Sequence, residues 1–188
     1  MKQENHQLNL FSDISPTPAV RAETLVMSKQ SLLEWKSHIL NYQQQIRETK
    51  PPLQATLFAL APKHCNPDAI EPLSLPLVPM SFYRMPADSP GEACIYFIID
   101  SAADLILYVG ETSCSNKRWK GIHGCKDYIV MYQDLHYRYG IKTAVNAAFW
   151  WDAPVERRSR QELELNLILK WQSPFNKENW QRWGQPFG

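Results

Sequence analysis

The stretch CIYFIIDSAADLILYVG, Cys94 to Gly110, decides the fold. Cys94 to Ile99 and Leu105 to Val109 are β-branched, aromatic and leucine-rich, a composition that fits a pleated, buried surface. Asp100, Ser101, Ala102, Ala103 and Asp104 separate them, and strands so close in sequence predict a hairpin. Outward from it, the polar and basic run Ser115 to Lys126 is predicted to be partly helical. Ala147 to Trp151 reads as a third buried strand ending at Pro154. Glu156 to Trp171 is the clearest helix, with Leu163, Leu165, Leu167, Ile168, Leu169 and Trp171 in its later turns and Pro174 closing it. The class is α/β, a small domain.

Composition changes near residue 90. Of the 14 prolines, 11 lie in the first ninety residues, and proline fixes φ while removing a donor, so this region reads as extended linker. One segment escapes. From Ser28 to Glu48, Leu32, Leu33, Trp35, Ile39, Leu40, Tyr42 and Ile46 recur at helical spacing with Lys and Gln between them. Ser28 suits the N-cap and Pro51 enforces a stop. Ala55 to Ala61 is a candidate short strand. The expected organisation is a disordered tail over 1–24, a helical and Pro-rich extension over 25–90, and a catalytic-sized domain over 91–188.

With 188 residues, 44% of them hydrophobic, and a net charge of +1, the chain can bury a core, and a strongly cationic nucleic-acid coat protein is excluded. No run approaches the roughly 18–20 apolar residues of a bilayer span, and the polar N-terminus does not read as a secretion signal. Cys65, Cys94, Cys114 and Cys125 show no CxxC spacing, which predicts a reduced, cytoplasmic protein with no membrane partner. Cys114, His123 and Cys125 lack a fourth ligand at zinc spacing.

Five features stand out chemically. Tyr96 and Tyr108 sit in the two hairpin strands. Arg118 follows a turn-prone stretch, with His123 just beyond it. Glu164 faces the apolar half of a helix, where an unpaired charge is costly, and Asn176 follows that helix. Each alone has an ordinary role: packing tyrosines, a surface arginine, a turn histidine, a Glu164–Arg160 helix pair, a capping asparagine. Together they suit phosphodiester hydrolysis, which needs a proton acceptor, a cation for phosphate oxygens and a metal for the leaving oxygen.

In that order, these residues resemble the GIY-YIG endonuclease family. The first signature is met as Cys94-Ile95-Tyr96, with Cys where the family usually has Gly. The second is Tyr108-Val109-Gly110, followed by Glu111-Thr112. Arg118 and His123 match the next helix, and Glu164, Leu167, Ile168, Pro174 and Asn176 match the closing motif. The resemblance covers residues 91–180. It implies a small three-stranded antiparallel sheet flanked by helices, and DNA endonuclease activity with one divalent cation, Mg2+ or Mn2+, held by Glu164 as its only side-chain ligand. By position Tyr96 is the general base, Arg118 holds phosphate and favours the phenolate, and Tyr108 orients water or phosphate. His123 contacts phosphate or relays a proton, and Asn176 locks the geometry. Glu164 is preferred to Glu162 on spacing and on burial cost. Cys94 is harmless if it packs beneath the sheet and strained if its φ is positive.

From Gly91 onward there are 12 Lys and Arg against 11 Asp and Glu. DNA contact then falls to Lys117, Arg118, Lys120 and Lys126 and to Arg157, Arg158 and Arg160, with salt-sensitive binding. The C-terminal aromatics Trp171, Phe175, Trp180, Trp183 and Phe187 could stack on bases, but more readily pin the terminus to the core. In the tail, Gln7-Leu8-Asn9-Leu10-Phe11 is similar to the pentapeptide by which bacterial repair proteins dock on the DNA sliding clamp. There Gln7 would direct hydrogen bonds, and Leu8, Leu10 and Phe11 would meet an apolar surface. Such a partner favours DNA repair; without it a restriction or mobile-element nuclease, or a weakly catalytic module binding branched or damaged DNA, is the alternative.

Overall fold

The structure is a computed structural model and describes residues 27–49, 65–80, 92–115, 124–185 and 187. The hairpin consists of β2 (Cys94–Asp100) and β3 (Leu105–Thr112), paired antiparallel with Tyr96 opposite Gly110. Every residue of β2 is buried, which explains its unbroken apolar sequence: a strand covered on both faces has no polar side to alternate with. The turn closes through Asp100, whose Oδ1 accepts from Ala102 N at 3.2 Å. Asp104 supplies the left-handed residue at φ 50°, a conformation its short polar side chain tolerates.

Among the described residues four strands form the sheet, not three. β4 (Val145–Trp150) pairs with the other edge of β2, and β1 (Leu77–Pro79) pairs with β4, giving the antiparallel order β1-β4-β2-β3. β1 follows Pro76 and ends on Pro79, in the stretch expected to be linker. Proline is tolerated there because an edge strand leaves one row of N–H groups unpaired anyway.

Helices cover both faces. On one side lie α1 (Lys29–Glu48) and α2 (Gly124–Tyr139), which put Ile39, Cys125, Ile129 and Tyr132 against Tyr96, Ile98, Leu105 and Leu107. On the other, α3 (Arg157–Trp171) packs Leu163, Leu167, Ile168 and Trp171 against Ile95, Phe97, Ile99 and Val109. Ser28 caps α1 by accepting from Ser31 N at 3.1 Å. Glu156 caps α3 by accepting from Arg158 N and Ser159 N. α2 extends well beyond the partly helical segment expected to end at Lys126. A short α4 (Trp180–Trp183) follows a 3-10 turn at Lys177–Asn179.

α1 buries polar residues beside the apolar ones its spacing suggests. Leu32, Lys36, Ile39 and Gln43 face inward, while Leu33 is 40% exposed. The two polar members are fully engaged. Gln43 exchanges hydrogen bonds with Ile106 N and O, each 2.9 Å, and donates to Trp171 O. Lys36 Nζ lies 3.1 Å from Asp100 Oδ2 and 2.7 Å from His136 Nε2. Lysine cannot accept, so Nε2 accepts and Nδ1 carries the proton donated to Tyr132 O. Burial holds His136 below the ordinary histidine range, and Lys36 adds to that. Burial opposes the Asp100 charge, but Ala144 N–H, the Tyr132 hydroxyl and Lys36 outweigh it and hold the carboxyl below its usual range. The extension thus shares the core of the sheet. The expected strand Ala55 to Ala61 and the whole tail lie outside the described residues.

All four cysteines are free thiols. Among the described residues no helix is long and apolar enough to cross a membrane.

Candidate active site

β3 is an edge strand, and its outer row of backbone groups would invite pairing if left bare. Side chains cover it. A bulge between Ile98 and Ile99 of β2 and the facing part of β3 shifts the register so that Ile98 opposes Tyr108 and Ile99 opposes Ile106. Leu107 and Tyr108 therefore both turn toward the same core cluster, the re-aiming that bulges produce. Beyond the bulge, Phe175 N donates to Leu107 O at 2.9 Å. Asn176 mimics a neighbouring strand: Oδ1 accepts from Val109 N and Nδ2 donates to Val109 O, each 2.9 Å. Next along, Glu164 Oε1 accepts from Glu111 N at 3.0 Å. The left-handed Gln172 and the Pro174 turn after α3 bring Asn176 back to the strand that Glu164 also touches.

Tyr96 and Tyr108 lie with ring centroids 6.0 Å apart, tilted by 32°. Tyr96 is fully buried and folds across Gly110. A Cβ at Gly110 would collide with Tyr96 Cζ and Oη and come within 2.8 Å of Tyr108 Cε1. Glycine is needed there for close approach rather than for a special φ. Beside the tyrosines opens a cleft of about 390 Å³, with Tyr108, Glu164 and Asn176 in its wall. No family model, curated protein or solved structure matches the chain.

Of the residues singled out in sequence, Tyr108, Glu164 and Asn176 line this cleft, and Tyr96 stands behind Tyr108. Arg118, His123, Lys117 and Lys120 lie outside the described residues, as do Gln7, Leu8, Leu10 and Phe11. Glu162 is exposed and Glu164 half-buried. Arg157 and Arg158 are exposed at the start of α3, and Lys126 is half-buried on α2. Arg160 does not belong with the surface arginines. It is 1% exposed, with Nε 2.6 Å from Glu111 Oε2 and Nη1 donating to Pro154 O and Val155 O. Its carboxylate partner is thus Glu111 rather than Glu164.

Tyr128, Lys177 and Glu178 also line the cleft and were not singled out. Lys177 and Glu178 directly follow Asn176, which ties them to the site; Tyr128 had no comparable signal. Cys94 is fully buried and is not among the described non-glycine residues with positive φ. Burial pushes its thiol up to about 12, against the opposing charge of Arg160, so it is an inert packing group.

The cleft wall offers the carboxylates of Glu164 and Glu178 and the phenols of Tyr108 and Tyr128, oxygen donors that suit a hard cation such as Mg2+ or Mn2+, while Asn176 Oδ1 is engaged by Val109 N and Ser173 Oγ. Among the described residues no group of three or more His, Cys, Asp or Glu gathers for a metal. A cation beside Glu164 would therefore keep most of its water or take substrate oxygens.

Proposed function

We propose that the chain is a divalent-metal-dependent DNA endonuclease of the GIY-YIG kind, hydrolysing phosphodiester bonds in DNA repair or recombination. One observation carries the reading. A single cleft gathers Tyr108, Glu164 and Asn176, with Tyr96 clamped behind Tyr108 over Gly110. Tyr96 Oη takes the proton of the attacking water, Tyr108 orients that water or the phosphate, and Arg118 steadies the phosphate oxygens. Glu164 would hold a cation through its carboxylate, whose orientation Glu111 N–H fixes. The cation, when bound, stabilises charge on the leaving oxygen. Asn176 keeps the β3 edge in place, so that the phenol and carboxylate do not drift apart.

The test is conversion of supercoiled plasmid to nicked and linear forms with Mg2+, Mn2+ or chelator, beside Tyr96→Phe. Metal-dependent nicking that Tyr96→Phe abolishes supports the enzyme. The full burial of Tyr96 favours a second reading, a weakly catalytic module that binds branched or damaged DNA. DNA binding without nicking on any DNA form would select it.

A further inference from the structure

Phe149, near the end of β4, packs on the sheet face that carries Tyr96 and Tyr108, and Trp151 lies just past the strand. Their rings stack at 5.2 Å and 17°. Phe149 meets Tyr96 at 6.5 Å, and Tyr96 meets Tyr108 at 6.0 Å. Four rings thus make one row that starts in the wall of the cleft and crosses the sheet. Exposure rises along it from Tyr96 at 0% through Phe149 at 8% to Trp151 at 51%. An exposed tryptophan alone says little. This one is held flat by a stacked partner and ends a continuous row leading from the proposed site.

The C-terminal aromatics are committed elsewhere. Trp171 and Phe175 are buried, Trp183 Nε1 donates to Gln172 O, and Phe187 packs against Trp35 and Phe175. Arg157 and Arg158, exposed at the start of the helix that follows Trp151, supply positive charge for a phosphate backbone.

We propose that Trp151 is a stacking platform for an unpaired nucleobase, so that the preferred substrate is DNA opened beside the scissile phosphate. This rests on the nuclease reading for the nature of the ligand. Every base has a π-face, so the platform selects unpaired structure rather than sequence.

The test measures anisotropy of the full chain in chelator on two probes of equal length. One is a duplex; the other is the same duplex with a short gap carrying 2-aminopurine. Trp151→Ala is expected to bind the gapped probe about tenfold more weakly and the duplex within about twofold, as loss of one stacked base predicts. Trp151→Phe should restore most of the difference, and 2-aminopurine quenching should vanish in Trp151→Ala alone. Equal affinity of Trp151→Ala and wild type for the gapped probe overturns the proposal. So does an equal loss on both probes, or a change in sedimentation showing that a second copy of the chain occupies this face. A wild type that nicks plasmid but shows no Trp151 dependence removes only the platform. One that nicks nothing yet shows Trp151-dependent gap binding removes only the catalysis. One that binds neither probe removes both.

Discussion

Gly110→Ala is the substitution whose consequence the geometry fixes most tightly. The added methyl group would occupy the space of Tyr96 Cζ and Oη and press on Tyr108 Cε1. Tyr96 can shift only by disturbing its neighbours: it is fully buried, with the Tyr108 and Phe149 rings 6.0 and 6.5 Å away. Overpacking of this kind costs typically 1–3 kcal/mol, and the enclosed ring places it toward the upper end, about 2–3 kcal/mol. For a domain of this size that is a fall in melting temperature of about 5–10 °C. Gly124→Ala is the matched control, since a Cβ there meets nothing within 4 Å. At the start of α2 it should leave stability unchanged or raise it by up to about 1 kcal/mol. Thermal unfolding followed by circular dichroism separates the two. In plasmid nicking at a temperature where Gly110→Ala is folded, activity should fall at least about tenfold, because the displaced phenol is the proposed base. A Gly110→Ala melting temperature equal to that of wild type would refute the reasoning.

Three further outcomes follow from the buried polar contacts. His136 is held neutral by burial and by Lys36, so the unfolded chain binds the extra proton. Stability is therefore full above the ordinary histidine range and falls as pH drops below about 6.5, by at most about 1.4 kcal/mol per pH unit; urea midpoints at pH 5.5 and 7.5 measure it, and His136→Gln should flatten the slope. Arg160→Ala should cost about 3 kcal/mol by stranding Glu111, whereas Arg157→Ala should leave stability unchanged and weaken DNA binding with a shallower salt slope. Urea unfolding and binding titrations at two salt concentrations distinguish these effects. Asn176→Ala should cost about 2–4 kcal/mol by leaving both backbone groups of Val109 unpaired, and Asn176→Asp no less, since it buries a charge and sets an acceptor against Val109 O; denaturant midpoints measure both.

The hairpin, α1 and α3 were legible because their signals are local: continuous apolar runs, a serine cap, a proline stop. β1 was not, because three residues that follow one proline and end on another carry no period, and only the β4 edge makes them a strand. α2 was obscured because its inward stripe includes Tyr132 and His136, which become core residues only through Lys36 and Asp100. The same pairing hid the true inner face of α1, where Lys36 and Gln43 read as solvent positions. At the site, Tyr108, Glu164 and Asn176 come together from separate elements as their order in the chain suggested. Arg160 read as a surface cation because its partner, Glu111, is distant in sequence and reaches it only once β3 lies against α3.

The most direct measurement is the initial rate of DNA strand scission in Mg2+ by Glu164→Gln, compared with wild type at matched folded fraction. Glutamine can still accept from Glu111 N–H but removes the charge that would hold a cation. A loss of roughly a thousandfold, several kcal/mol of barrier, is the predicted result. Scission by Glu164→Gln at the wild-type rate would contradict the account.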